Sequence, residues 1–278
     1  MTLQELRRQL KDLLTRHEIE SPEADSGLLL MHTLQLSKTE LLLDNREVAP
    51  EDVNRIMSFA KRRTQGEPVR YLTGTAPFMD LEFTLNTFTL IPRPDTEVLV
   101  EAVSNQIKDA PLTLWDIGCG SGCIGISLAH RHRNLHVVEL DVSEDALKAA
   151  KMTATRYQLE NRITFIRQDI LSGMPNLPAP DIIVSNPPYI PSRDIETLQK
   201  EVRLYEPRRA LDGGEDGLLF YRCITESAPL KSGGLLALEI GYDQGESVPA
   251  LLEGNGYTKI TLLKDLAGNP RVVLGFHY

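Results

Sequence analysis

Leu112-Thr113-Leu114-Trp115-Asp116-Ile117-Gly118-Cys119-Gly120-Ser121-Gly122 is an apolar run that meets a carboxylate and then breaks into alternating glycines. Residues 112–115 have the composition of a buried strand. The glycines that follow mark a turn into a helix, since a residue without Cβ lets backbone approach a ligand closely. A second strand, 135–140, ends on Asp141, roughly 20 residues beyond the first glycines, where a doubly wound sheet places an acidic group against a ribose. Ligands of such sheets lie at the carboxyl ends of the strands, at the point where strand order reverses.

Working outward, helix and strand alternate from Asp95 to the end of the chain. Asp95 opens a helix to about residue 108. Strands follow at 163–167, 181–185 and 235–240, with helices at 144–159 and near 217–230. Two closing β-rich runs, 259–263 and 271–276, flank Gly268-Asn269-Pro270 and suggest an antiparallel edge. The fold class is α/β: a Rossmann-like doubly wound sheet over residues 95–278. Residues 76–94 differ in character. Phe78, Phe83 and Phe88 with interleaved Thr and Leu suggest a β-hairpin linker, closed by the stiff stretch Ile91-Pro92-Arg93-Pro94.

Residues 1–75 read as a small helical unit suited to substrate recognition. Thr2 with Glu5 fits a capping box, and Leu3, Leu6, Leu10 and Leu13 recur at helical spacing. Ser21-Pro22 opens a second helix to about Gln35, Ser37 with Glu40 a third, and Pro50 a fourth carrying Val53, Ile56, Met57 and Ala60 on one face and ending at Gly66.

A net charge of −9 argues against holding a nucleic-acid backbone by counterion release, so no direct nucleic-acid partner is expected. The helical unit is close to neutral. No apolar run approaches the ~18 residues of a membrane span. The start lacks the basic-then-apolar order of a signal peptide, which points to the cytoplasm. Cys119, Cys123 and Cys223 show neither paired nor metal-ligand spacing, so reduced thiols and no metal are expected.

Gly120, Gly122 and Gly125 also satisfy a dinucleotide fingerprint, a weak signal alone. Asp116 at the strand end would repel a pyrophosphate but favours a sulfonium and an ammonium. S-adenosylmethionine is therefore the expected cofactor and S-adenosylhomocysteine its product. Asp116, Gly118, Cys119, Gly120, Ser121 and Gly122 form the turn around it, and Asp141 accepts from the ribose hydroxyls unless it merely caps the helix after it. Asp169, with Ile170 beside it, either meets the adenine or caps a turn.

The strand 181–185 runs into Asn186-Pro187-Pro188-Tyr189. Two prolines remove two N–H donors and leave carbonyl acceptors in a stiff geometry. Asn186 adds an amide oxygen and is expected to touch the cofactor as well as the acceptor group; Tyr189 adds an aromatic face. A planar NH₂ is a weak nucleophile that has to be aimed. Asn186 Oδ1 and the Pro187 carbonyl are expected to accept its two N–H groups, making Asn186, Pro187 and Tyr189 the catalytic candidates and Pro188 a further substrate contact. An amino-directed nucleic-acid methyltransferase, acting on adenine N6 or guanine N2, would use a similar corner on a flipped base.

With these residues in hand the chain resembles the release-factor glutamine methyltransferases (the PrmC/HemK family) within the class I methyltransferases. The resemblance spans nearly the whole chain. It rests on Arg62-Arg63, Gly66-Glu67-Pro68-Val69, Leu90-Ile91-Pro92-Arg93-Pro94-Asp95-Thr96-Glu97, the 116–122 turn, Asp141 and Asn186–Tyr189. Glu206-Pro207, Leu211-Asp212-Gly213-Gly214, Glu239-Ile240-Gly241 with Gln244, and Lys264-Asp265-Leu266-Ala267-Gly268 with Arg271 extend it. Pro77-Phe78-Met79-Asp80-Leu81 departs from the family's usual hairpin. The resemblance implies methylation of the side-chain amide nitrogen (N5) of the glutamine in the Gly-Gly-Gln loop of class 1 peptide-chain release factors, with the helical domain gripping that partner.

Overall fold

The computed structural model describes residues 1–278. They form two compact units, Met1–Thr75 with Gln199–Tyr205, and Ala76–Leu198 with Glu206–Tyr278. The chain opens with helices α1 (Leu3–Arg16), α2 (Pro22–Leu34), α3 (Lys38–Leu43), α4 (Pro50–Thr64) and α5 (Val69–Thr73). Strands β1 (Thr75–Phe78) and β2 (Leu81–Thr84) come next. The sheet-forming part then runs α6 (Glu97–Ser104), β3 (Leu112–Ile117), α7 (Cys123–Arg131), β4 (Leu135–Asp141), α8 (Glu144–Arg156), β5 (Ile163–Arg167) and β6 (Ile182–Ser185). It closes with α9 (Lys200–Tyr205), α10 (Leu219–Ser227), β7 (Gly234–Glu239), α11 (Ser247–Gly254), β8 (Tyr257–Lys264) and β9 (Pro270–His277).

In the first unit both expected capping boxes form: Thr2 with Glu5 at α1, and Ser37 with Glu40 at α3. Each satisfies two N–H groups that a helix start leaves orphaned. Ser21 makes no side-chain cap, and α2 begins on the fixed φ of Pro22 instead. The leucines at 3, 6 and 10 are fully buried with Leu29, Leu30 and Ile56 in one core. Leu13, expected on that face, is only partly buried, and Leu14 takes the buried position. The unit also holds an ion triad. Arg63 is buried, its Nε lies 2.6 Å from Asp25 and its Nη1 2.9 Å from Glu201 of α9. Burial pushes the Asp25 carboxyl upward, and the Arg63 contact pulls it back.

In the second unit seven strands form one sheet in the order β5-β4-β3-β6-β7-β9-β8. Neighbours from β5 through β7 are parallel; β9 is antiparallel to both β7 and β8. The single reversed strand therefore lies inside the sheet, and β8 at the edge runs with the others. Side chains alternate across the sheet. Leu114, Val137, Val184 and Ala237 face α6–α8 and the hairpin, while Trp115, Leu140, Ile183 and Leu238 face α10 and α11. Both faces are covered, as a parallel sheet requires.

Several boundaries differ from those the sequence suggests. The hairpin is shorter: β1 and β2 turn at Met79, which holds φ +51°, and Phe88 lies beyond them on an irregular stretch. The helix expected from Asp95 to 108 is a 3-10 turn, Pro94–Thr96, followed by α6, which stops at Ser104. Helices α5, α9 and α11 are short or carry Pro249 and glycine, so periodicity does not reveal them.

Candidate functional site

Strand order reverses between β4-β3 and β6-β7, and the carboxyl ends of β3 and β6 meet there. Their register pairs Ile117 with Ser185, and Ser185 Oγ donates to the Ile117 carbonyl at 2.7 Å. One residue further along each strand, Gly118 begins the glycine turn and Asn186 begins the tetrapeptide. The two motifs line a single cavity of about 290 Å³.

Gly118, Cys119, Gly120 and Ser121 form one wall. Gly118 and Gly120 hold φ of +70° and +55°, and a Cβ on either would point into open space. Bare backbone there is required by conformation and leaves room for a ligand. Gly122 instead starts α7 and turns toward Ile126 and Ala150, so it does not line the cavity.

Asp141 lines the cavity beside that turn. Its Oδ2 accepts from Gly120 N at 2.9 Å and its Oδ1 from Ser143 N at 2.7 Å. Ser143, not Asp141, caps α8 through Ala146 N. Burial pushes the Asp141 carboxyl upward, and the Ser143 and Gly120 amides hold it down. Each oxygen keeps a lone pair for a diol. Val142, Asp169, Ile170 and Leu171 continue the wall with Phe88 and Phe220. Asp169 Oδ1 accepts from Leu171 N, so its carboxylate caps the turn Ile170–Ser172 while still bordering the cavity.

Asp116 is placed differently from the sequence expectation. It alternates onto the α7 face of β3, is fully buried, accepts from Gly125 N at 2.9 Å, and does not line the cavity. Burial pushes its carboxyl up to about 7. It lies beneath the glycine turn instead of facing a ligand directly.

On the acceptor side Asn186, Pro187 and Pro188 line the cavity. Asn186 Nδ2 donates to Thr96 Oγ1 at 3.2 Å, and both side chains lie near the buried carboxyl of Glu239 at the end of β7. Burial lifts Glu239 to about 7, opposed by Thr96 and the Arg271 charge. These contacts occupy the nitrogen end of the Asn186 amide and leave Oδ1 as its free acceptor. Tyr189 does not line the cavity. Its ring packs against the core with Tyr221 and Ile240, and its carbonyl accepts from Gln244 Nε2 at 3.2 Å. Gln244 also donates to Gly217 O and accepts from Gly241 N. Ile190 exchanges backbone bonds with Leu211 and Gly213, so the 211–217 loop clamps the tetrapeptide from behind. Arg93 pairs with buried Glu206, joining the linker to the same region.

Thr96, Glu239, Gln244, Phe88, Arg209 and Phe220 do not stand out individually as site residues in the sequence. Thr96, Glu239 and Gln244 do fall inside the motifs that carry the resemblance. The aromatic lining gives no local signal.

A mostly parallel sheet of this order, with one reversed strand, an acidic β4 end and a cavity over the β3–β6 junction, defines the class I methyltransferase fold. A methyltransferase from Pyrococcus furiosus shares it at TM-score 0.51 and 16% identity, over 82% of this chain and 98% of that one. The catalytic domain of hMettl16, solved with an RNA hairpin, shares it at TM-score 0.56 and 15% identity, over 85% and 86%. Residues 5–74 match the model described as PrmC N-terminal domain, and 94–215 the one described as Methyltransferase small domain. Proteins named release factor glutamine methyltransferase from Caulobacter vibrioides and Moorella thermoacetica are 38% and 41% identical. They align over 95% and 93% of this chain and 93% and 92% of their own. The chain belongs to the release factor glutamine methyltransferase family.

Proposed function

We propose that this protein methylates the side-chain amide nitrogen (N5) of the glutamine in the Gly-Gly-Gln loop of class 1 peptide-chain release factors, using S-adenosylmethionine. The donor set of the cavity fits that cofactor: Asp141 for the ribose hydroxyls, apolar Val142, Ile170 and Leu171 for a flat base, and open backbone at Gly118 and Gly120 for the amino-acid portion. When bound it supplies an electrophilic methyl group on a sulfonium.

The protein then has one task, to hold a weak nucleophile in line. Asn186 Oδ1 and the Pro187 carbonyl each accept one N–H of the target amide. Well-oriented reactants can lower a barrier by up to ~7–11 kcal/mol. Both acceptors also stabilise positive charge as it grows on the nitrogen. The observation that supports this reading is that Asn186, tied through its amide nitrogen to Thr96, lines the same cavity as the glycine turn. Tyr189 contributes through its carbonyl, which fixes the loop. The helical unit supplies the grip on the release factor, and its relatives' name supports that partner.

Incubation with labelled S-adenosylmethionine and, separately, a release factor, duplex DNA and ribosomal RNA tests the acceptor. Label is expected on the release factor, at the glutamine. Label on nucleic acid alone would overturn the assignment.

A further inference from the structure

The register of β3 with β4 sets Asp116 directly against Glu139. Both side chains fall on the α7 face of the sheet and both are fully buried. A buried carboxylate normally has a cation or several donors. Here Gly125 N donates to Asp116 Oδ2, and nothing else does. Asp116 Oδ1 and both Glu139 oxygens lack any donor while the two groups are ionised. The titratable groups facing the pair are Asp141 at the end of β4 and the thiols of Cys119 in the glycine turn and Cys123 at the start of α7. All are acidic, and no base is available to neutralise the pair.

Packing makes Glu139 a junction. Its carboxyl lies against Asp116 on β3 and beside the Cys119 thiol in the turn. On the α7 side it lies against Gly125, where an added Cβ would run into the Glu139 carboxyl and Val137. Strand, turn and helix start thus converge on this one side chain, directly beneath the Gly118–Ser121 wall.

We propose that Asp116 and Glu139 share a single proton, and that this carboxylic acid–carboxylate pair positions the glycine turn under the cofactor. One proton turns either group into the donor that the other lacks, and it removes the repulsion between two adjacent buried anions. Neither residue lines the cavity, so both are positioning residues, and the inference holds whichever acceptor is methylated. Burial pushes Asp116 to about 7 and Glu139 well above its ordinary range, in keeping with a proton retained at neutral pH. Loss of that proton at higher pH sets two charges face to face and loosens the turn.

Binding of S-adenosylhomocysteine, measured by calorimetry from about pH 6 to about pH 9, is expected to weaken roughly tenfold with rising pH in the wild type, a change equal to one pKa unit of differential protonation. Glu139→Gln carries a permanent donor to Asp116. It should bind within about threefold of wild type at neutral pH and lose most of the slope, and Asp116→Asn, a second replacement that keeps a donor in the pair, should flatten the profile too. Infrared spectra of the protein alone should contain the carbonyl stretch of a protonated carboxylic acid that Glu139→Gln removes. Wild-type binding independent of pH, an unchanged slope in both variants, or an infrared spectrum without that band would each overturn the shared proton.

Discussion

Under the proposed function Asp141 serves the cofactor and Thr96 the acceptor, and single substitutions should separate them. Asp141 binds Gly120 N and Ser143 N and borders the cavity. Asp141→Ala should raise the cofactor Kd about 10- to 100-fold, the equivalent of one or two charged hydrogen bonds, and leave kcat at saturation within severalfold; titration calorimetry reads the first, saturated kinetics the second. Thr96 accepts from Asn186 Nδ2 at 3.2 Å at the edge of the same cavity. Thr96→Val keeps the shape and removes the hydroxyl, so kcat should fall roughly tenfold, as second-layer contacts commonly cost, with cofactor Kd unchanged. A matching loss of cofactor affinity in Thr96→Val would show that the threonine supports the whole cavity and not the acceptor corner.

At the scale of elements, strongly patterned segments are legible in the amino-acid sequence itself. Strands β6 and β7 carry near-continuous apolar runs because both sheet faces are covered there, and the ends of β3 to β7 fall within two residues of those the sequence suggests. The Asn186 corner and the glycine turn are legible for the same reason: each follows a strand whose end is unmistakable. What is not legible depends on partners distant in sequence. Asp116 has the spacing of a cofactor contact, but the alternation of β3 turns it toward α7; Glu139 is an ordinary member of a strand except for its register against Asp116. Helix α9 has no buried face of its own and is tied in by contacts distant in sequence, Glu201 beside Arg63 and Tyr205 Oη donating to the Gln65 carbonyl. Arg63→Leu should therefore destabilise the helical unit by about 3–5 kcal/mol, because it leaves the Asp25 carboxyl buried without its cation. Thermal unfolding measures this, and a loss below ~1 kcal/mol would mean water reaches Asp25.

Across the whole molecule, buried carboxyls on the sheet give stability a definite dependence on pH. Asp116 and Glu239 sit near 7 in the folded protein, against 3.8 and 4.5 ordinarily, and Glu139 is also raised. The folded state binds these protons more tightly than the unfolded chain, so this contribution is largest at low pH and declines as pH rises through the window between the two values. Urea midpoints should thus fall from about pH 5 to about pH 7.5; Glu239→Gln should remove part of that fall, and a midpoint that rises throughout would contradict the placement of these groups. No helix is long and apolar enough to cross a membrane. The central claim remains that the fold brings a cofactor turn and a nitrogen-aiming corner into one cavity. Single-turnover methyl transfer to a release factor by Asn186→Ala, with the protein in excess and cofactor saturating, tests it most directly. The expected result is a rate about 10²- to 10³-fold below wild type, the usual cost of one preorganised polar contact to developing charge, with cofactor affinity within about threefold; an undiminished rate would contradict it.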